Sequence, residues 1–126
     1  MSTPDYYKYD DGETHFECFD ISRYYSGDWA QVIQYVFRWQ KKGGIDDLKK
    51  ALACAKDARD NGMVLDPVPK SRIIRRALNN KLRILENQNF SNANEVWGSI
   101  RAVYDGTDDV IAMLEKMIKD AENETV

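Results

Sequence analysis

The sequence predicts an all-α protein, a compact bundle of five to six short helices with an antiparallel helix pair at its centre. Apolar residues recur every three or four positions along most of the chain, which is the spacing of one helix face. No alternating run of apolar and polar residues is long enough to indicate a strand with similar clarity. The 126 residues, of which 43% are hydrophobic, are sufficient for one core.

We expect a single helical domain over residues 1–126, organised in three parts. Residues 1–13, with several tyrosines and aspartates, are predicted to form an extended lead-in. Residues 14–62 contain the first three predicted helices, and residues 63–126 contain the C-terminal helices.

The first helix is predicted over about 15–25. Thr14 and Glu17 have the spacing of a capping box, in which each side chain accepts a hydrogen bond from the other's backbone amide. Ser26–Gly27 supplies the glycine with which many helices end.

The second and third helices are predicted to form the central pair. The second covers about 29–42, with Asp28 as its cap, and stops at Gly43–Gly44. The third begins at Asp46–Asp47, where carboxylates suit the positive end of the helix dipole, and runs to Asn61–Gly62. A short glycine turn between two helices favours antiparallel packing.

Three further helices are predicted after the proline-rich breaker at residues 66–69. Apolar residues at helical spacing mark the fourth over 73–85 and the fifth over 96–104. Thr107–Asp109 is predicted to cap the sixth, whose apolar residues fall within 110–121.

Composition limits the classes of function. No apolar run reaches the roughly 20 residues of a membrane span, and the N-terminus has no export signal, so we expect a cytoplasmic protein that binds no membrane. The only two cysteines, Cys18 and Cys54, are expected to be free thiols. With one histidine and no metal-ligand spacing, we expect no metal site.

Charge is distributed unevenly along the chain. Residues 31–90 carry thirteen cations and six acids, whereas residues 1–30 carry two cations and seven acids, and residues 91–126 carry three cations and eight acids. This pattern indicates an anionic ligand for the middle segment, an internal clasp between oppositely charged helices, or charged faces that simply contact solvent.

The polar face of the second helix is the first candidate site. Its residues follow one another at intervals of three or four and are Gln31, Gln34, Arg38 and Lys41. The third helix repeats the spacing with Asp47, Lys50, Cys54 and Asp57. Arginine and lysine bind phosphate, and glutamine amides recognise base edges, so the two faces could border a nucleotide cleft. The alternative is a solvated surface with a few pairs within each helix.

Four segments within about residues 5–60 carry a resemblance to a known family: Tyr6–Lys8, Glu17–Ile21, Val32–Gly44 and Asp46–Leu52. Through them the chain resembles the SaV-like family of bacteriophage proteins. These segments are similar to the family pattern H-Y-K, E-x-x-D-x-I, G-N-x-x-K-Y-x-x-R-x-x-K-K and D-L-x-K-A. The family is largely uncharacterised and includes a podophage nucleotide kinase. The resemblance therefore implies a nucleotide or cyclic nucleotide as the ligand, in the host cell cytoplasm if the protein is phage-encoded.

The match is incomplete. Tyr6 replaces the family's histidine, Ala30–Gln31 replaces its Gly-Asn pair, and Gln34 replaces its lysine. The positions that match are Tyr7, Lys8, Glu17, Asp20, Tyr35, Arg38, Lys41, Asp47 and Lys50. The chain also lacks the glycine-rich phosphate loop, which excludes a P-loop kinase. The predicted nucleotide or phosphate site consists of Tyr7, Lys8, Gln31, Gln34, Arg38, Lys41 and Lys50.

The fourth helix supplies a second candidate surface. Its basic residues Arg72, Arg75, Arg76 and Arg83 lie on one side, with no acid between Pro67 and Leu85. Such a stripe could contact a nucleic-acid backbone or a multi-phosphate nucleotide. It could equally contact the acidic flanks or solvent, and the acidic balance of the whole chain disfavours nucleic acid.

Three hypotheses of function follow. The leading one is a small phage-type protein that binds a phosphate-bearing nucleotide and sequesters it without turnover, with no cofactor. The second is a nucleoside monophosphate kinase-like enzyme, which would need Mg²⁺. The third is a protein or nucleic-acid interaction module. Aromatic residues at the margins of the apolar faces further predict a homo-oligomer.

Overall fold

The structure, a computed structural model, describes residues 3–102 and 105–124, and it is 67% helical. The elements in chain order are a 3₁₀ turn (Asp5–Tyr7), strands β1 (Lys8–Asp10) and β2 (His15–Glu17), helices α1 (Phe19–Ser22), α2 (Gly27–Arg38), α3 (Ile45–Asp60) and α4 (Arg72–Asn87), a second 3₁₀ turn (Phe90–Asn92), and helices α5 (Asn94–Arg101) and α6 (Thr107–Glu124). The predicted helical bundle is therefore confirmed. No helix within the described ranges is long and apolar enough to cross a membrane.

The central antiparallel pair is formed by α2 and α3. Side chains that lie later in α2 contact side chains that lie earlier in α3. The contacting pairs are Arg38 with Asp47, Gln31 with Cys54, and Asp28 with Asp57. The turn between the helices ends at Gly44, whose φ of 62° lies in the left-handed region that glycine adopts without strain. Helix α3 also packs against α6, and α5 packs against both α4 and α6.

The prediction of a helix over 15–25 is wrong. Residues 15–17 form β2, which pairs antiparallel with β1, and only the four residues of α1 are helical. Tyr9 and Phe16 stand opposite each other, stack with ring centroids 4.9 Å apart, and are both buried. This aromatic pair stabilises a hairpin whose strands are too short to give a recognisable alternation in the sequence.

The other helix boundaries differ from the predictions by a few residues. Helix α2 ends at Arg38 rather than near residue 42. The chain continues as a turn, in which the amides of Lys41 and Lys42 donate to the Arg38 carbonyl and the Gly44 amide donates to the Trp39 carbonyl. Helix α4 begins after Ser71, whose Oγ accepts a hydrogen bond from the Ile74 amide. The predicted fifth helix included Val103 and Tyr104, which lie outside the described residues.

Two tryptophans, Trp29 and Trp97, are buried in the core, and Trp39 is partly buried against it. Each indole N–H has a defined partner. Trp29, Trp39 and Trp97 donate to the carbonyls of Met63, Ser91 and Phe90, respectively. All three acceptors lie outside the α-helices, so the tryptophans hold the segments that follow α3 and α4 in place. Both thiols are free, as predicted, with Cys18 buried and Cys54 half-buried.

The turn between α4 and α5 is fixed by Ser91. Its hydroxyl donates to the Phe37 carbonyl over 2.7 Å, and its own carbonyl accepts from the Trp39 indole over 2.6 Å. Its φ of 56° is unusual for a residue with a Cβ. The turn therefore joins the C-terminal end of α2 to the second half of the bundle.

We predict that Ser91→Ala lowers the free energy of unfolding by about 1–2 kcal/mol, because the buried Phe37 carbonyl loses its donor. Ser91→Gly should lower it less, since glycine relieves the positive φ. Ser26→Ala is the control, because the Ser26 side chain makes no capping hydrogen bond. Urea unfolding measures the three midpoints. Equal midpoints for Ser91→Ala and Ser26→Ala would contradict the role assigned to this hydroxyl.

Candidate functional site

The site is organised by an ion pair between Arg38 at the end of α2 and Asp47 in the first turn of α3. Arg38 Nε and Nη2 donate to the two carboxylate oxygens of Asp47, each over 3.1 Å. The Asp47 side chain is 2% exposed and that of Arg38 is 18% exposed. A charge pair buried to this extent is tolerated because both donor–acceptor contacts are made.

Two further groups complete this arrangement, which we call the Arg38 clasp. The Gly43 amide donates to Asp47 Oδ2 over 3.0 Å, and Arg38 Nη1 donates to Tyr7 Oη over 2.8 Å. The clasp therefore consists of Tyr7, Arg38, Gly43 and Asp47, and it holds the N-terminal segment, α2 and α3 together. Asp47 already occupies the N-terminal turn of α3, where an external anion would otherwise find donors.

The charge state of the clasp follows from these contacts. Burial alone would lower the pKa of Arg38, but the hydrogen bond and charge of Asp47, together with Tyr7, raise its pKa above the ordinary arginine value. Arg38 is therefore a permanent cation. Three of its five N–H groups are used internally, in contrast to the sequence-based expectation of a free phosphate ligand.

Around the clasp, the ammonium groups of two lysines and the guanidinium group of Arg38 lie close to three tyrosine rings. Lys42 Nζ lies 5.2 Å from the centroid of the Tyr6 ring, and Lys50 Nζ lies 5.8 Å from that of Tyr35. The Arg38 guanidinium carbon lies 5.1 Å from the Tyr35 ring and 5.8 Å from the Tyr7 ring. We call this surface the tyrosine–lysine face. It comprises Tyr6, Tyr7, Tyr35, Lys42 and Lys50, together with the exposed Lys41, which directly precedes Lys42 in the chain.

The lysines of this face have no acidic partner among the residues that the structure describes. Lys41, Lys42 and Lys50 are exposed, and none forms an ion pair with a carboxylate in the described part of the chain. Lys8, also predicted for the site, lies 3.8 Å from the exposed carboxylate of Asp5. The face consequently presents uncompensated positive charge beside aromatic rings.

The two glutamines of the predicted site lie farther along α2 and have other partners. Gln34 donates to Ser22 Oγ over 3.4 Å, and Gln31 accepts from the Cys54 thiol over 3.3 Å. Beyond Gln31 the surface carries the carboxyl groups of Asp28 and Asp57. The two groups share a hydrogen bond, which together with burial raises the pKa of Asp28. A phosphate group would be repelled at this end and attracted at the tyrosine–lysine end.

Comparison with protein-family models, with curated proteins and with solved structures gives no match.

The sequence-predicted residues fall into two groups in this geometry. Tyr7, Arg38, Lys41 and Lys50 belong to the clasp or to the tyrosine–lysine face. Lys8, which lies near Asp5, and the two glutamines Gln31 and Gln34 do not. The prediction omitted Tyr6, Tyr35 and Lys42 as site residues. The spacing of three between Tyr35 and Arg38, which places a ring one helical turn from the guanidinium, could have indicated Tyr35.

The second predicted surface, on α4, is divided in a similar way. Arg75 donates to both oxygens of Asp66, which also accepts from Lys70. Burial opposes the charged form of Asp66, but these hydrogen bonds outweigh it and lower its pKa. Arg72, Arg76 and Arg83 are exposed, and their side chains make no hydrogen bond or ion pair with any described residue.

Candidate metal ligands are dispersed. Within residues 3–102 and 105–124, no three histidine, cysteine, aspartate or glutamate side chains come together in a way that could hold a metal ion.

The clasp leads to a prediction about stability. Arg38→Ala should lower the free energy of unfolding by about 3 kcal/mol or more, because it leaves the Asp47 carboxylate buried and unpaired. Arg38→Lys should recover only part of this, since an ammonium cannot donate two parallel hydrogen bonds. Lys41→Ala, an exposed substitution nearby, should change it by less than about 0.5 kcal/mol. Denaturant titration of the ligand-free protein measures these values, and an Arg38→Ala protein as stable as Lys41→Ala would refute the clasp.

Proposed function

We propose that the chain binds a phosphate-bearing nucleotide on the tyrosine–lysine face. The observation that supports this proposal is the group of three exposed lysines, Lys41, Lys42 and Lys50, which form no ion pair with any described carboxylate. Two of them, Lys42 and Lys50, lie beside tyrosine rings. Each half of a nucleotide has a complementary group there, the phosphates at the ammonium groups and the base at a ring.

In this proposal a nucleotide competes with contacts that already exist. The lysine ammonium groups lie over the faces of Tyr6 and Tyr35, and such exposed cation–π contacts contribute only about 0.5–1 kcal/mol. A charge-assisted hydrogen bond to phosphate contributes about 1.5–3 kcal/mol. Moving an ammonium group from the ring to a phosphate is therefore favourable, and it frees the ring for the base.

Arg38 has a different role in this proposal from the one expected from the sequence. It is a positioning residue, because its hydrogen bonds to Asp47 and Tyr7 fix the two helices and one ring of the face. Phosphate binding is assigned to the lysines, whose side chains are free to move. Sequestration without turnover remains the preferred form of the hypothesis, and a kinase-like reaction is the form that would require Mg²⁺.

We predict that Lys50→Ala and Lys42→Ala each weaken nucleotide binding about tenfold, because each removes one charge-assisted contact. Lys49→Ala is the matched control, since Lys49 is an exposed neighbour on α3 that lies over no ring of the described residues. Isothermal titration with nucleoside mono-, di- and triphosphates and cyclic nucleotides, with and without Mg²⁺, measures the affinities. Tyr35→Leu should weaken binding of the nucleotides but not of inorganic pyrophosphate, which has no base.

Two results would contradict the proposal. One is the absence of heat and of thermal stabilisation with every nucleotide tested. The other is an equal loss of affinity in Lys49→Ala and Lys50→Ala, which would indicate nonspecific attraction to positive charge. Turnover that depends on Mg²⁺ would favour the kinase form over sequestration.

A further inference from the structure

The most exposed large apolar side chain of the described residues is Ile73, near the start of α4. It is 83% exposed, although an isoleucine is normally buried. Arg72 precedes it and Arg76 lies one helical turn later on the same side of the helix. Both arginines are exposed and unpaired within the described residues. The helix thus presents an apolar knob with two guanidinium groups beside it.

A cleft of complementary character lies elsewhere on the molecule, between the end of α2, the start of α5 and the second half of α6. Its volume is about 150 Å³, and Trp39, Met113 and Met117 contribute to its apolar lining. A volume of this order accommodates a group the size of an isoleucine side chain. Methionine side chains are flexible, so they adapt to an inserted group.

The rim of the cleft is mainly acidic. Asp120 and Glu124 are exposed residues of α6, and their spacing of four places both carboxylates on one side of the helix. Glu95, also at the rim, lies 4.0 Å from the ammonium group of Lys116. Asp120 and Glu124 are thus the rim carboxylates that form no ion pair with a described residue, and they can accept a cation from another molecule.

We propose that one copy of the chain inserts Ile73 into the Trp39–Met113–Met117 cleft of a second copy, with Arg72 and Arg76 against Asp120 and Glu124. The apolar side chain of Ile73 matches the apolar lining of the cleft. Arg72 and Arg76 are four residues apart on one helix, as are Asp120 and Glu124 on the other, so the two guanidinium groups can meet the two carboxylates. Ile73 does not line the cleft within its own chain, so a second copy must supply the cleft it enters. Pairing of α4 with α4 is disfavoured, because it would bring arginines together.

The geometry of this contact determines the kind of assembly. Each copy carries one knob and one cleft on different surfaces, so the interface is heterologous, and successive copies add head to tail into a ring or an open chain. The contact is small and partly ionic, so it should be concentration-dependent and weakened by salt. It uses neither the Arg38 clasp nor the lysines of the tyrosine–lysine face, so it is independent of nucleotide binding.

The test combines two assembly-deficient variants. Ile73→Asp removes the knob but keeps the cleft, and the double variant Asp120→Arg/Glu124→Arg keeps the knob but reverses the charge of the rim. All three positions are exposed, so the fold should persist, which circular dichroism verifies. Sedimentation velocity at low ionic strength, from low to high micromolar concentration, measures the mass of each protein alone and of the two variants mixed.

We expect the wild-type mass to rise with concentration and each variant alone to be monomeric, with association weakened at least about tenfold. A one-to-one mixture should form a two-chain species and nothing larger, because only one productive knob–cleft pair remains. Val64→Asp, at a valine that is 62% exposed in another segment, should assemble like the wild type. The proposal is overturned if the mixture stays monomeric, if Ile73→Asp assembles normally, if Val64→Asp also fails to assemble, or if the wild type is monomeric throughout.

Discussion

The contact between Arg38 and Asp47 is the constraint on which the arrangement of this protein depends. It joins the last residue of α2 to the first turn of α3, and through Tyr7 it holds the N-terminal segment against both helices. Because Asp47 is almost fully buried, neither partner can separate without leaving an unpaired charge in the interior. The angle of the central hairpin and the positions of the surrounding rings are thereby fixed together.

This constraint also separates structural charge from surface charge. The middle of the chain has a large excess of cations, but its acids are used selectively: Asp47 neutralises Arg38, and Asp66 neutralises Lys70 and Arg75. Among the remaining cations, Arg59 pairs with the exposed Asp60. The others include two exposed groups, the lysines of the tyrosine–lysine face and the arginines Arg72, Arg76 and Arg83 of α4. The acidic flanks do not neutralise those surfaces through ion pairs among the described residues. The sequence left open an internal contact between the basic residues of α4 and the acidic flanks. The exposed arginines Arg72, Arg76 and Arg83 form no such ion pair with the described residues.

The helical bundle could be predicted from the sequence because helical periodicity and caps are local signals. Helices α3 and α6 were recognisable for that reason. The β1–β2 hairpin was not, because it depends on the stacking of Tyr9 on Phe16 and on contact of Tyr9 with Phe90, far along the chain. The pairing of Arg38 with Asp47 was equally inaccessible. The spacing of polar residues showed which face of each helix they occupy, but not that the two faces would bond to each other.

The two surfaces for which we propose roles meet at the end of α2. Arg38 is directed into the clasp, and the next residue, Trp39, lines the cleft and donates to the Ser91 carbonyl. The side chains of consecutive helical residues point about 100° apart. The side chain of Arg38 therefore faces the clasp, whereas that of Trp39 faces the cleft. Ser91 accepts the hydrogen bond of Trp39, and Asp47 accepts those of Arg38. Because each residue is fixed by its own partner, occupation of the cleft by another copy need not disturb the lysines that would bind phosphate.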